Sequence, residues 1–383
     1  MKVYLELARI PGLLRITASQ LFARFPLGIL SLAILLHVQR VSGSYALAGL
    51  AVGSVSAGEA LAVPLTSRLL GRWGIRPTTA ASCVVCTGAI AAISMAGLQP
   101  AAYVVVGFVA GASIPPIMPA VRALYPQFVA EHHVRALFSL DTASQELIWI
   151  GGPVVATVLS TTVSTAAPLL LAAAVTFGGG LWFVSSPRLT GVRLERGPTR
   201  FGRVLANRTV LLAMGISLTM VASFAALEIA VVAHLRSDGA LAGLAIAVSA
   251  LGSLVGGVMF GSRTLGLAGL TAALTGIAGF TALSAVARDL RLLLPALFCS
   301  GLGFAPALAT VYAMVSQALG EQDAPEAFGW LNTGSLVGGA CGTALAGSLS
   351  DGFGAQGAFC AATVLALAGV VVPLVAALRQ TRR

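Results

Sequence analysis

The sequence predicts an all-α polytopic membrane protein, with twelve transmembrane helices in two pseudo-symmetric six-helix bundles. Three observations lead there. Of 383 residues, 57% are hydrophobic and only 9% charged, with a mean hydropathy of +0.93. Ordinary soluble domains carry about 25% charge, so a water-soluble fold is excluded. The apolar residues fall into runs of about twenty, the length that crosses a ~30 Å hydrocarbon core. The two halves of the chain also share sequence in register. The 44 Gly and 17 Pro are compatible with this class, because both are tolerated in transmembrane helices.

The runs fall at 13–39, 45–69, 78–98, 101–127, 137–160 and 166–187, then at 210–235, 240–262, 266–287, 291–318, 325–349 and 356–378. They are numbered here as spans 1 to 12. Lys2 and Arg9 precede span 1, Arg15 stands at its start and Arg40 follows its end. Span 2 closes on Arg68, Arg72 and Arg76, and Arg135 precedes span 5. Arg236, Arg263, Arg288 and Arg291 mark the connections between spans 7 and 10, and Arg379, Arg382 and Arg383 follow span 12. The one long polar insert separates two sets of six. It divides the chain into an N-terminal bundle over 1–187, a basic cytoplasmic central loop over 188–208 and a C-terminal bundle over 209–383.

An even number of spans puts both termini on one side. The loops on that side hold 17 basic residues, six of them in the central insert, and the other side holds Arg40, Arg236, Arg288 and Arg291. The positive-inside rule then places both termini in the cytoplasm of a multi-pass protein of a bacterial-type cytoplasmic membrane. The net charge of +10, from 22 Arg and 1 Lys against 13 acids, reflects this placement and not a nucleic-acid surface. The first apolar run is too long for a signal-peptide core and no A-x-A-like cleavage site follows it. All five Cys lie in apolar stretches, and Cys83 and Cys86 read as small helix fillers, not a redox pair. No metal or cofactor set is present, and the chain is expected to be a monomer.

The internal repeat is the strongest organisational signal. LAGLA at Leu47–Ala51 recurs 194 residues later at Leu241–Ala245, and RALFSLDTAS at Arg135–Ser144 aligns with EAFGWLNTGS at Glu326–Ser335, 191 residues on. Pro115 falls on Pro306 at the same offset, and AILLH ending at His37 is similar to AVVAH ending at His234. Parallel six-helix repeats with substrate between them are an established transporter plan.

Over essentially its whole length the chain resembles the major facilitator superfamily. PLTSRLLGRWGIRP, Pro64 to Pro77, looks like the signature that follows span 2 in that family. Arg72, Gly74 and Arg76 match it, while Gly71 stands at the usual acidic position. The signature Arg of span 4 is replaced by Gly107. Of the Gly-Pro antiporter signature in span 5, Gly152 and Pro153 remain, with Ile148 in place of an earlier Gly. The resemblance implies spans 3, 6, 9 and 12 at the lipid-facing periphery, and those four carry no Asp, Glu, Lys, Arg or His in their cores.

An ionisable side chain at the bilayer midplane costs at least ~2.5–3.5 kcal/mol, so each one needs a reason. Six are embedded: Arg24, Glu59, Arg122, Asp141, Glu146 and Glu228. From the rise per residue, Arg24 lies ~16 Å and Glu146 ~14 Å from the cytoplasmic edge, with Glu59 at similar depth. These three are the candidates for a proton-coupling site in the substrate cavity. Two readings stand for Glu146: a permanent bridge to Arg24, or a carboxylate that loads and releases a proton as solvation and a neighbouring Arg change. At the duplicated positions Glu59 corresponds to Ser253, Asp141 to Asn332 and Glu146 to Val337, so the architecture alone does not require charge there. Arg122 and Asp141 are shallower and level with each other, as an intramembrane ion pair would be. His37, Glu228 and His234 near the far ends of spans 1 and 7 are outer-gate candidates, or polar helix ends facing water. The Gly-rich runs 252–261 and 334–347 read as close helix packing.

The loop between spans 10 and 11 reverses the basic pattern with Glu321, Asp323 and Glu326. These acids cap the start of span 11, where Pro325 suits the first turn, or they form a cytoplasmic latch with Arg68, Arg72 and Arg76. The resemblance favours the latch, because it implies that spans 2 and 11 meet at that interface. Taken together the sequence points to a secondary active transporter working by alternating access. Proton-coupled export of a hydrophobic or amphiphilic drug-like compound or metabolite is expected; uptake, or a non-transporting sensor or assembly protein, is the alternative. The lipid bilayer, a small-molecule substrate and protons are the implied partners. A P-loop, a His cluster, a G-x-S-x-G elbow and HExxH are all missing, which argues against ATP-driven transport by this chain alone and against an enzyme.

Overall fold

In a computed structural model, residues 2–95, 98–192, 201–235, 239–260, 266–287, 289–320 and 322–380 are described. Span 1 comprises Leu13–Arg24 and Pro26–Ser42, span 2 Tyr45–Trp73, span 3 Ile75–Ile93, span 4 Pro100–Ala112 and Ile117–Phe128, span 5 Glu131–Thr162, and span 6 Ala167–Val184. Span 7 is Arg208–His234, span 8 Gly239–Phe260, span 9 Leu267–Val286, and span 10 Leu290–Leu302 with Phe304–Ala318. Spans 11 and 12 lie within Ala324–Gln380, which turns at Gly354, where φ of 66° is a backbone state that glycine tolerates. A further helix, Lys2–Arg9, precedes span 1 and tucks Leu7 into the core.

The differences from the expected spans have local causes. Several helices run past the apolar stretch, because a helix continues through polar residues wherever its backbone bonds close; span 5, for instance, starts at Glu131. Span 1 is interrupted at Phe25, one residue before Pro26, whose ring leaves no N–H for a continuous ladder. Pro115 and Pro116 divide span 4, and span 10 breaks at Gly303 in nearly the same register. Among the described residues ten helices are long and apolar enough to cross a membrane. The two that fall short, spans 5 and 11, are a duplicated pair and carry most of the polar side chains that meet between the halves.

Close backbone approaches repeat in the two halves. Gly58 lies against the Phe108 carbonyl and Gly111 against that of Val55. In the C-terminal half Gly252 lies against Phe298 and Gly301 against Ser249. None of these four sites has room for a Cβ, which is how small residues let transmembrane helices pack. Gly334, Gly338 and Gly342 do the same for span 11 on span 7. Large apolar side chains remain exposed on the peripheral spans, among them Val84, Leu170, Leu181, Val364 and Leu367, as lipid-facing surfaces require.

The core shows which end is shut. At the end carrying the central insert, here the basic end, one buried cluster joins both halves, from Ile16, Leu124 and Phe138 to Ile216, Val311 and Phe328. Toward the opposite end the core divides. Ile34, Ala51 and Ile93 pack within the N-terminal half, and Leu227, Leu297 and Phe359 within the C-terminal half. The two halves are therefore joined at the basic end and separate at the other.

Candidate functional site

Span 1 places Gln20 and Arg24 one turn apart, on the same face. With Arg122 from span 4 they converge on Asp141 of span 5, which is 1% exposed. Asp141 Oδ1 accepts from Arg24 Nη1 at 2.7 Å and from Gln20 Nε2 at 3.0 Å, while Oδ2 accepts from Arg122 Nε at 2.8 Å. Arg24 Nη1 also donates to Gln20 Oε1, and Gln20 Nε2 reaches the Tyr125 hydroxyl at 3.3 Å. Arg122 donates to Gln145 Oε1 at 3.0 Å, and its guanidinium lies 3.9 Å from the centre of the Tyr312 ring, across the junction between the halves. Two buried guanidinium groups thus share one carboxylate, and an aromatic face supports one of them.

Glu146 is not Arg24's partner. It is five residues, about 1.4 turns, beyond Asp141 and so about 140° further around the helix axis, and the two acids face different neighbours. Glu146, 5% exposed, accepts from Ser253 Oγ of span 8 at 2.7 Å. On the same seam Ser139 Oγ donates to the Gly257 carbonyl at 2.6 Å. The second seam, between spans 2 and 11, is built alike. Glu59 accepts from Asn332 Nδ2 at 3.3 Å, and Thr333 Oγ1 donates to the Ala60 carbonyl at 2.8 Å. Each seam therefore joins a carboxylate of the N-terminal half to a neutral donor of the C-terminal half. The donors occupy duplicated positions, Ser253 that of Glu59 and Asn332 that of Asp141. Arg24, Glu59 and Glu146, expected together, are divided between the Asp141 cluster and these two seams.

The remaining candidates are more scattered. His37 is buried and its Nδ1 lies 3.1 Å from Thr165 Oγ1 in its own half, while His234 stands edge-on to Phe359 in the other. The histidines expected as a matched gate are not brought together. Glu228 borders a small hollow with Phe224, Ile246 and Ser249. Gly152 lies against the backbone of Gly28, so the Gly152–Pro153 pair sits where spans 1 and 5 cross in contact.

At the basic end Arg68 Nε lies 4.0 Å from Glu326 Oε2. Arg68, Arg72, Asp323 and Glu326 border one cavity of about 810 Å³ between spans 2 and 11. Arg76 is turned away, donating to the Ser186 carbonyl at 3.2 Å and to Thr190 Oγ1 at 2.8 Å. It leaves the expected latch because these bonds tie it to the segment after span 6. Glu321 lies outside the described residues. Sequence reasoning missed Gln20, Tyr125, Gln145 and Tyr312. The two amides could have been noticed as polar side chains within apolar spans, while the two tyrosines carry no such signal.

Two six-helix bundles, joined at one end around buried charges, define a multi-pass membrane protein with a transporter fold. The chain belongs to the Major Facilitator Superfamily, whose members are transporters; the family profile matches residues 16–262 and 209–383. Among curated proteins none matches the sequence. Solved structures with the same fold include the human organic anion transporter MFSD10 (TETRAN), at 16% identity and a TM-score of 0.75 over 95% of this chain and 99% of that one. A bacterial homologue of the iron transporter ferroportin, in an outward-facing state, has 14% identity and a TM-score of 0.75 over 94% and 98%. The E. coli fucose:proton symporter FucP has 12% identity and a TM-score of 0.76 over 96% and 98%.

Proposed function

We propose that the protein is a proton-coupled secondary transporter that exports a small hydrophobic or amphiphilic organic solute by alternating access. The N-terminal and C-terminal bundles, divided by the central loop at 188–208, are the two rocking bodies. The observation that carries the reading is the contrast in partners. Asp141 is matched by two guanidinium groups, whereas Glu59 and Glu146, among the described residues, each accept from one neutral side chain, and that donor belongs to the opposite half. Separating the halves at the basic end breaks both bonds, admits water to Glu146, which is buried here, and exposes further Glu59, which is part-buried. Burying them again is costly unless they are neutral, so closure and proton occupancy are linked. Asp141, held within one half, keeps its partners throughout.

With the basic end in the cytoplasm, as the arginine placement favours, the closed basic end makes this an outward-open state. Glu228, near the split end, lies where a proton or a solute enters or leaves. The apolar character of the chain favours a hydrophobic or amphiphilic solute. Protons as the coupling ion are in keeping with the structural relative named as a proton symporter. The test is transport in proteoliposomes with an imposed pH gradient, using a panel of hydrophobic and amphiphilic solutes. Wild type is expected to move at least one of them against its gradient, and Glu146→Gln and Glu59→Gln to lose this. Gradient-driven transport that persists in both variants removes the proposed proton sites.

A further inference from the structure

The end of the central loop makes contacts that neither the fold nor the coupling scheme requires. Gly202 N–H donates to Glu326 Oε1 at 2.7 Å, and Glu326 is 5% exposed. The adjoining Phe201 ring lies 5.7 Å from that of Trp330 on span 11 and 5.9 Å from the Arg68 guanidinium on span 2. Trp330 Nε1 donates back to Glu326 Oε1 at 3.4 Å. The segment is anchored behind this point. Val204 is buried in the core that joins the halves, and Asn207 caps span 7 by accepting from Thr209 N–H at 2.8 Å. The start of the central loop is fastened elsewhere, where Arg188 donates to the Pro11 and Phe128 carbonyls of the N-terminal half.

We propose that Phe201 and Gly202 form a clasp that holds the basic end shut. The clasp is attached to the C-terminal half through Val204 and Asn207 and reaches Arg68 of the N-terminal half. Phe201 fits between Arg68 and Trp330 only while spans 2 and 11 are together. Glu326 acts as the catch: one buried carboxylate receives the loop backbone and faces Arg68. When the basic end opens, Arg68 moves away from Trp330 and the ring loses one of its two supports. Removing the ring therefore weakens the closed state and leaves the open state little changed. The contact thus tunes the balance of the two states, and through it the transport rate, without touching solute or proton. The clasp rests on the alternating-access reading in one respect only, that the basic end opens, and it does not depend on proton coupling.

Hydrogen–deuterium exchange of the full-length protein in nanodiscs tests it. Phe201→Ala is expected to speed exchange about two- to fivefold in the basic ends of spans 2 and 11, residues 64–73 and 325–331. Residues 45–55 of span 2, at the opposite end, exchange no faster than in wild type, because that end closes as the basic end opens. Phe201→Tyr keeps the ring and keeps the wild-type profile. The clasp is overturned if Phe201→Ala leaves exchange at 64–73 and 325–331 as in wild type. It is also overturned if Phe201→Tyr raises exchange as much as Phe201→Ala, or if exchange rises equally at both ends of span 2. If the clasp fails while pH-gradient-driven transport persists in wild type, alternating access stands and only the role of Phe201 is withdrawn.

Discussion

Asp141 and Glu146 lie five residues apart on one helix, and both are nearly sealed from solvent, yet their surroundings have little in common. Asp141 faces into its own half, where Arg24, Arg122 and Gln20 occupy both carboxylate oxygens. Glu146 faces the other half, and its partner is a serine hydroxyl. The difference teaches that burial alone does not assign a role to an intramembrane acid. A carboxylate matched within one half is held by that half alone, whereas the bond of one whose partner sits on the other half depends on how the two halves meet. Glu59, bonded across the second seam by Asn332, belongs with Glu146.

The sharpest way to break this contrast is to remove each acid and compare stability. Asp141→Ala leaves two guanidinium groups buried without a counter-charge and should cost about 3–5 kcal/mol in denaturant unfolding of the detergent-solubilised protein. A loss below about 1 kcal/mol would show the cluster to be solvated or rearranged. Next in size, Gly152→Val drives a side chain into the backbone of Gly28 and should cost about 1–3 kcal/mol by the same measurement. Ser253→Ala removes the donor to Glu146 without adding charge, with an expected loss of about 0.5–1.5 kcal/mol. Glu146→Gln should be the mildest, within about 1 kcal/mol of wild type, because the amide oxygen still accepts from Ser253. The order Asp141→Ala far above Glu146→Gln is the contrast itself, and a reversed order would dissolve it.

Much of the fold was legible in the sequence, because bilayer thickness and arginine placement act on whole segments. The repeat also announced which helices would be equivalent, and the glycine contacts of spans 2 and 4 recur in spans 8 and 10. Partner choice was less legible. Depth along a helix follows from counting residues, but which neighbour a side chain faces depends on rotation about the axis, about 100° per residue. Hence Arg24 and Glu146, level in depth, looked like partners, whereas Arg24 meets Asp141. Neutral groups were the other blind spot. Gln20, Gln145 and Tyr312 complete the Asp141 cluster, and Ser253 and Asn332, visible as repeat counterparts, gave no sign that they would bond to the acids. Arg76 matched a signature, but its bonds to Ser186 and Thr190 come from a turn that the sequence pattern did not place.

The central claim is that Glu59 and Glu146 link closure of the basic end to protons, and it can be measured without knowing the solute. Amide exchange at both seams, residues 139–148 and 250–257 for the first and 57–67 and 328–337 for the second, would be followed from mildly acid to mildly alkaline pH and corrected for the chemical exchange rate. The account predicts seam protection that changes with pH in wild type and is flat in the Glu59→Gln, Glu146→Gln double variant. Protection that varies with pH to the same extent in both proteins would contradict it.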